Sequence, residues 1–190
     1  MKEQLQKDFD NTIKNLSLSQ KDIEIKKFFL DSFVNRGFPN RKEEDWKFSD
    51  LSQIIKKNIG ELSFYTDYTS TNKVDTSVFV DGLEHNKIVF INGRIEKIDF
   101  DYEKKNQIEI IDQSETINEF KNSNSLSDLN NAFTNKCFKI LVKKGYQLAK
   151  PLIIYHTTNS KIWSKNINLR LNFELDKDSS LRLILRPAHP

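Results

Sequence analysis

The chain is short of the residue types from which most catalytic and metal-binding motifs are built. Of its 190 residues one is cysteine, three are histidine, four are proline and five are glycine. A single thiol, Cys137, excludes an internal disulfide framework and any cysteine-rich zinc site. It fits a reducing compartment, so a cytoplasmic localisation is expected. Five glycines leave neither a phosphate-cradling loop nor a dinucleotide fingerprint. His85, His156 and His189 are far apart without metal-ligand spacing, and each reads as a surface or loop residue. No stretch approaches the roughly 20 apolar residues of a membrane span, and the opening residues carry no signal-type apolar core. An excess of one charge is missing too: 30 basic residues face 27 acidic ones, with no basic stripe of the kind a nucleic-acid binder uses. Pairs such as Lys56-Lys57 and Lys143-Lys144 read as solvated surface.

What is present is a globular composition, with 37% hydrophobic residues and fourteen phenylalanines. Leu5, Phe9, Ile13 and Leu16 recur at helical steps and line one face. Ser19 is a good N-cap for a second helix, with Asp22 in its first turn. Ile25, Phe28, Phe29 and Phe33 are expected on its inner side, and Gly37 and Pro39 terminate it. A short helix is expected around Asp50 to Lys57, with Leu51, Ile54 and Ile55 inward, ending before Gly60.

Residues 61–77 read as a connecting loop. Lys87 to Ile91 and Arg94 to Ile98 flank Asn92-Gly93, the strongest short hairpin signal, because both turn positions require positive φ. A further strand is expected at Gln107 to Ile111, then a helical or irregular stretch over 114–135 around Leu126, Leu129, Ala132 and Phe133. The last third is rich in strands. Phe138, Ile140 and Val142 alternate with Lys139 and Leu141, a turn follows at Lys143 to Gly145, and Pro151 opens Leu152 to Tyr155. Ile167, Leu169, Leu171, Phe173 and Leu175 alternate with polar residues, and Leu181, Leu183 and Leu185 repeat the pattern after a turn. Short strands with one apolar face suit a solenoid or a sandwich, and periodicity leaves both open.

Two places invite a chemical reading. The segment Phe38 to Leu51 is expected to connect helices, with Trp46 and Phe48 plugging a small helical core and Arg41 pairing with Glu44 or Asp45; a docking surface is the alternative. Cys137 beside Phe138 reads as a small buried hydrophobe. A persulfide or cluster role would need a partly exposed thiolate near a cation, for which Lys136 and Lys139 are candidates.

The same segment resembles the N-terminal motif of the SufB/SufD family of iron–sulfur cluster assembly scaffold proteins, and more closely its SufD branch. The residues that carry the likeness are Pro39, Arg41 or Lys42, Glu44, Trp46 and Phe48. Further along, Phe90-Ile91-Asn92-Gly93 resembles the family's hairpin, and Leu129, Asn130, Ala132 and Phe133 resemble its "Leu-Asn-x-Ala-Phe" helix. The run from Pro151 to Ile184 resembles its first β-helix coils.

The resemblance implies an α+β chain in three parts: a helical domain over 1–60, a connecting region with a hairpin and a helix over 61–135, and the start of a right-handed parallel β-helix over 136–190. It implies a non-catalytic scaffold that joins SufB and the ATPase SufC. The iron–sulfur cluster passes through the complex as cargo, and ATP sits on SufC. Catalytic, cofactor-binding and metal-binding residues are expected to be none on this chain. Family members are longer, and their later coils and their SufB and SufC interfaces have no counterpart here. The pattern is expected to end near Ile184, with Leu185 to Pro190 not continuing the coil, as in a truncated product. The competing class is a free-standing β-rich module binding a sugar or peptide through exposed aromatics such as Tyr155 and Trp163; an enzyme is the least favoured class.

A solenoid cut after its first coils leaves an edge of unpaired backbone groups. The isolated chain is therefore expected to be marginally stable or to self-associate. A sharp, reversible, concentration-independent unfolding transition of a monomer would contradict this.

Overall fold

The computed structural model describes residues 2–14, 16, 18–58, 62–65, 73–113, 124–134, 136–159, 162 and 165–188. Among these the fold is mixed α+β, with four α-helices and two mixed sheets. The helices are α1 (Lys2–Lys14), α2 (Gln20–Arg36), α3 (Leu51–Asn58) and α4 (Ser125–Phe133). The strands are β1 (Asn86–Ile91), β2 (Arg94–Asp99), β3 (Ile108–Asp112), β4 (Lys136–Val142), β5 (Leu152–Thr157), β6 (Leu169–Leu175) and β7 (Leu183–Ala188). The chain forms two compact units, neither contiguous in sequence. One comprises Met1–Thr66, Ser114–Asn135 and Ser164–Leu169; the other comprises Asp67–Gln113, Lys136–Trp163 and Arg170–Pro190.

The first unit is helical. The Ser19 side chain caps α2 by accepting from the Asp22 amide at 3.2 Å. Gly37, at φ 75°, ends it by donating to the Phe33 carbonyl at 2.7 Å, a conformation that favours glycine. Phe9, Phe29, Phe33, Phe38, Phe64 and Phe133 form the core with Leu5, Leu30 and Ala132. Fully burying each such Phe or Leu side chain contributes on the order of 1.5–3 kcal/mol.

Two expected faces are corrected. Phe28 is 67% exposed, and the inward face of α2 is Lys26, Phe29, Leu30 and Phe33. The helix is turned because Lys26 reaches the end of α4, where its ammonium donates to the carbonyls of Thr134 and of Asn131 (3.4 Å). A buried cation at the negative end of a helix satisfies carbonyls that have no partner within the helix. On α3, Leu51 and Ile55 pack on the core one turn apart, while Ile54 stands 45% exposed.

At the other end of α4, the buried Asp128 carboxylate accepts from Ser32 Oγ at 2.7 Å and Arg36 at 3.1 Å. Lys26 and Arg36 thus hold α2 antiparallel to α4 at both ends.

In the second unit, one sheet has the order β2-β1-β5-β7 and the other β3-β4-β6. The Asn92-Gly93 hairpin joins β1 and β2, with φ 52° and 81° at the two turn residues, as expected. β5 then lies parallel to β1, and β7 parallel to β5, so Ile88, Ile154 and Leu185 fall in line across three strands. In the other sheet β3 pairs antiparallel with β4, and β6 follows β4 with the Asp176 amide donating to the Val142 carbonyl at 3.0 Å. Phe90 and Phe138 meet between the sheets, ring centroids 5.8 Å apart. The opposite face of β1 and β5, with Val89, Ile91, Ile153 and Tyr155, is covered by Val74, Val78, Phe79 and Val80. Burial on both faces explains the unbroken apolar runs Ile88 to Ile91 and Leu152 to Tyr155.

β7 corrects the expectation that the pattern stops near Ile184. Pairing with β5 continues through Arg186 opposite Tyr155 and Pro187 opposite His156. Among the described residues β7 has no strand on its outer side, so the missing amide donor of Pro187 breaks no ladder there. The alternating apolar residues here are only partly covered: Leu175 is 47% and Leu185 64% exposed.

Burial lowers the Lys26 pKa from 10.5 to about 8, a drop partly opposed by the charge of Asp22. Between those values the unfolded chain holds a proton that the folded chain has released, so stability rises with pH through that window. Urea unfolding of wild type relative to Lys26→Met at pH 7.5 and pH 10 is expected to differ by roughly 2 kcal/mol in favour of the higher pH. A pH-independent difference would mean that the ammonium is not buried.

Candidate functional site

The motif residues divide between the two units, and in each their chemistry is that of turns, caps and packing. After α2, Pro39 is buried, Arg41 and Glu44 are exposed, Trp46 is half-buried, and a short 3-10 turn spans Glu44–Trp46. Asn40 and Glu43 organise the turn: the Glu43 carboxylate accepts from the Asn40 amide at 3.2 Å, and Asn40 Oδ1 accepts from the Lys42 amide at 3.0 Å. Two expectations fail. Phe48 does not plug the helical core: it is 92% exposed, with the Lys47 ammonium 5.9 Å from its ring centroid. Its intended place is filled by Phe38, packed edge-on against Phe33 at 5.0 Å. No ion pair joins Arg41 to Glu44 or Asp45 among the described residues.

Leu129, Asn130, Ala132 and Phe133 lie on α4. Ala132 and Phe133 are in the core, and Leu129 packs against it. Phe133 stacks on Phe64 at 3.6 Å and meets Phe9 edge-on at 6.1 Å. Asn130 closes the helix: its carbonyl accepts from the Thr134 amide at 2.7 Å, and its Oδ1 accepts from the Thr134 hydroxyl at 2.8 Å.

Asn92 does more than turn the hairpin. It is 3% exposed; its amide donates to the Thr157 carbonyl at 3.0 Å, and its Oδ1 accepts from the Asn159 amide at 3.1 Å. One residue thus supplies the left-handed turn and ties β1 to the exit of β5.

Cys137 is buried, with the Asn172 side-chain amide 3.5 Å from its sulfur. Burial pushes its thiol pKa up, and nearby Asp112 adds to the rise while Arg170 opposes it. That is the reverse of what a persulfide-bearing thiolate requires. The lysines proposed as its cationic neighbours are engaged elsewhere, Lys136 with Asp112 and Lys139 with Glu174, both at 2.9 Å.

The histidines need correction. His85 is 2% exposed, donating from Nδ1 to the Leu83 carbonyl at 2.6 Å and facing the Tyr155 hydroxyl with Nε2 at 2.7 Å. Both ring nitrogens are satisfied, so the ring is buried without penalty. His156 is a half-buried member of β5, and burial lowers its pKa. His189 lies outside the described residues, as does Trp163. Tyr155 cannot serve as an exposed platform: it is fully buried, its hydroxyl accepting from the Val80 amide at 3.0 Å.

Among the described residues no group of three or more His, Cys, Asp or Glu side chains is placed to hold a metal ion. Sequence reasoning missed Lys26, although its place three, four and seven residues before Phe29, Leu30 and Phe33 puts it on their face. Asp128, one helical turn before the core residue Ala132, was missed as well.

No protein-family model matches this chain, and no curated protein matches it either.

Asn92→Ala is expected to destabilise the protein by roughly 2–3 kcal/mol, because it loses a buried hydrogen bond and forces alanine into a left-handed conformation. Asn92→Gly keeps the backbone freedom and should cost less. Chemical denaturation of both variants checks the order.

Proposed function

We propose that the chain is the N-terminal portion of a SufD-type scaffold protein, a non-catalytic subunit of cytoplasmic iron–sulfur cluster assembly. The observation that carries this reading is the parallel stacking of β1, β5 and β7. Leu152 lies opposite Leu183, 31 residues further along, and an isolated parallel bridge sets Gln147 opposite Ser180, 33 residues further along. Strands from 136 onward alternate between the two sheets, β4, β5, β6, β7, so each circuit returns to its own sheet one strand later. Such repetition is how a β-helix is built, and the strong bias of parallel crossovers favours the right hand. A helical unit, the Asn92-Gly93 hairpin and α4 add support by following in the order that the resemblance to the SufB/SufD family implies.

In this reading the chain contributes architecture. SufB is the partner scaffold, SufC supplies ATP hydrolysis, and the cluster is cargo carried by the assembly. The exposed Phe48 and half-buried Trp46 form part of the surface of the helical unit. No cluster ligand is assigned to Cys137, whose thiol is buried and whose pKa is raised.

Affinity capture of the native protein from its own cells is expected to bring down SufB and SufC, and the captured complex should accept a cluster when supplied with iron, sulfide and ATP. Capture that yields neither partner would sink the proposal. The isolated 190-residue chain is expected not to retain SufC; retention would mean that the SufC docking surface lies within it.

A further inference from the structure

The turn between β2 and β3 carries Glu103, whose carboxylate is engaged by four donors. Oε1 accepts from Asn86 Nδ2 at 2.6 Å and from the Lys150 amide at 3.2 Å. Oε2 accepts from the Tyr146 hydroxyl at 2.7 Å and from the Ala149 amide at 3.1 Å. Each oxygen therefore receives one side-chain donor and one of two consecutive backbone amides. That is a two-pronged grip on a carboxylate, of the kind that gives charge-assisted hydrogen bonds their strength.

The donors are held in place by bonds that do not pass through Glu103. Asn86 is fully buried; its amide donates to the Pro151 carbonyl at 2.9 Å, and its Nδ2 also donates to the Lys150 carbonyl at 3.0 Å. Tyr146 is fixed at its backbone, donating to the Lys143 carbonyl at 3.0 Å and accepting from the Ser180 amide at 3.1 Å. Leu148 donates to the Ser180 carbonyl at 3.0 Å, which steadies the stretch leading into Ala149 and Lys150. The occupant, by contrast, sits on a separate exposed turn whose own closure is the bond from the Glu103 amide to Phe100 at 2.9 Å. Three of the four donors belong to the β4–β5 connection and the fourth, Asn86, opens β1, while the carboxylate is delivered from the turn between β2 and β3.

We infer that Asn86, Tyr146 and the amides of Ala149 and Lys150 form a preorganised carboxylate receptor, filled in cis by Glu103, which accepts a carboxylate from solution or from an acidic partner side chain when Glu103 withdraws. Exchange of the occupant frees the Glu103 side chain, while the turn between β2 and β3 stays tied by the Lys104 amide, which donates to the Tyr146 hydroxyl at 2.9 Å, and by the Gln107 carbonyl, which accepts from the Lys143 amide at 3.0 Å. This inference does not depend on the scaffold reading. The direction of the Glu103 pKa agrees with it: burial pushes the value up, yet the bonds from Tyr146, Asn86, Ala149 and Lys150 bring it below the ordinary range.

The test uses the whole chain carrying Glu103→Ala, with acetate as the probe. Thermal unfolding at pH 7.5 is followed against increasing sodium acetate, with sodium chloride at matched ionic strength as control. The expected result is a lowered transition temperature that acetate raises with dose beyond chloride, and by clearly more than the general anion effect it has on wild type, whose receptor is filled. Adding Tyr146→Phe to the variant should weaken the acetate response roughly tenfold, the size of one charge-assisted bond. Equal effects of acetate and chloride on the variant would overturn the inference. Should Glu103→Ala fail to fold, the Glu103 carboxylate of the wild-type protein is titrated by carbon NMR. A midpoint below the ordinary glutamate range supports the receptor, and one at or above it refutes it.

Discussion

The parallel pairing of β5 with both β1 and β7 is the constraint on which the β-rich unit rests. β5 has a strand on each side, the opposing sheet on one face and the 73–80 segment on the other. A strand in that position has no polar face to offer, which is why Leu152 to Tyr155 is uniformly apolar and why a tyrosine is accepted there only with its hydroxyl bonded. The polar residues that matter in this unit lie at the ends of strands. Asn92 is at one end of β1, and Asn86 with its neighbours is at the other.

The helical unit solves a different problem with similar means. Apolar contact between α2, of 17 residues, and the nine-residue α4 is non-directional and leaves their relative rotation weakly defined. Lys26 and Asp128 remove that freedom by placing opposite buried charges at opposite ends of α4, each with defined acceptors or donors. The arrangement also follows the helix dipole, with the cation at the carbonyl end and the carboxylate in the first turn. Charge here sets orientation, and the aromatic cluster supplies most of the favourable burial.

Local signals were legible in the sequence and long-range ones were not. Ser19, Gly37 and the Asn92-Gly93 turn depend on the backbone within three or four residues, so their roles could be read directly. Alternation in β4 likewise gave the inward residues Phe138, Ile140 and Val142. Burial of a particular aromatic depends on what arrives from far along the chain. Phe48 lost its expected place to Phe38, and Phe28 was turned outward by the reach of Lys26 across 108 residues to Thr134. Tyr155 and His85 were misread for the same reason, since the segment that covers Tyr155 comes some 75 residues earlier. The resemblance to a scaffold family rests on motifs whose observed work is structural, so the site chemistry of this chain came from its hydrogen bonds.

The interleaving of the two units has a consequence for how the protein comes to exist. The helical unit waits for α4, which is made only after the hairpin of the other unit has emerged, and the β-rich unit waits for β5, 66 residues beyond its partner β1. Until α4 is made, Lys26 has no carbonyls to receive it, and until β5 is made, β1 has only β2 beside it. Nascent chain therefore holds unpaired edges and unfilled apolar faces from both units at once, until β5 has been made. Folding of this chain is a matter of timing, with neither unit able to finish ahead of the other's central segment.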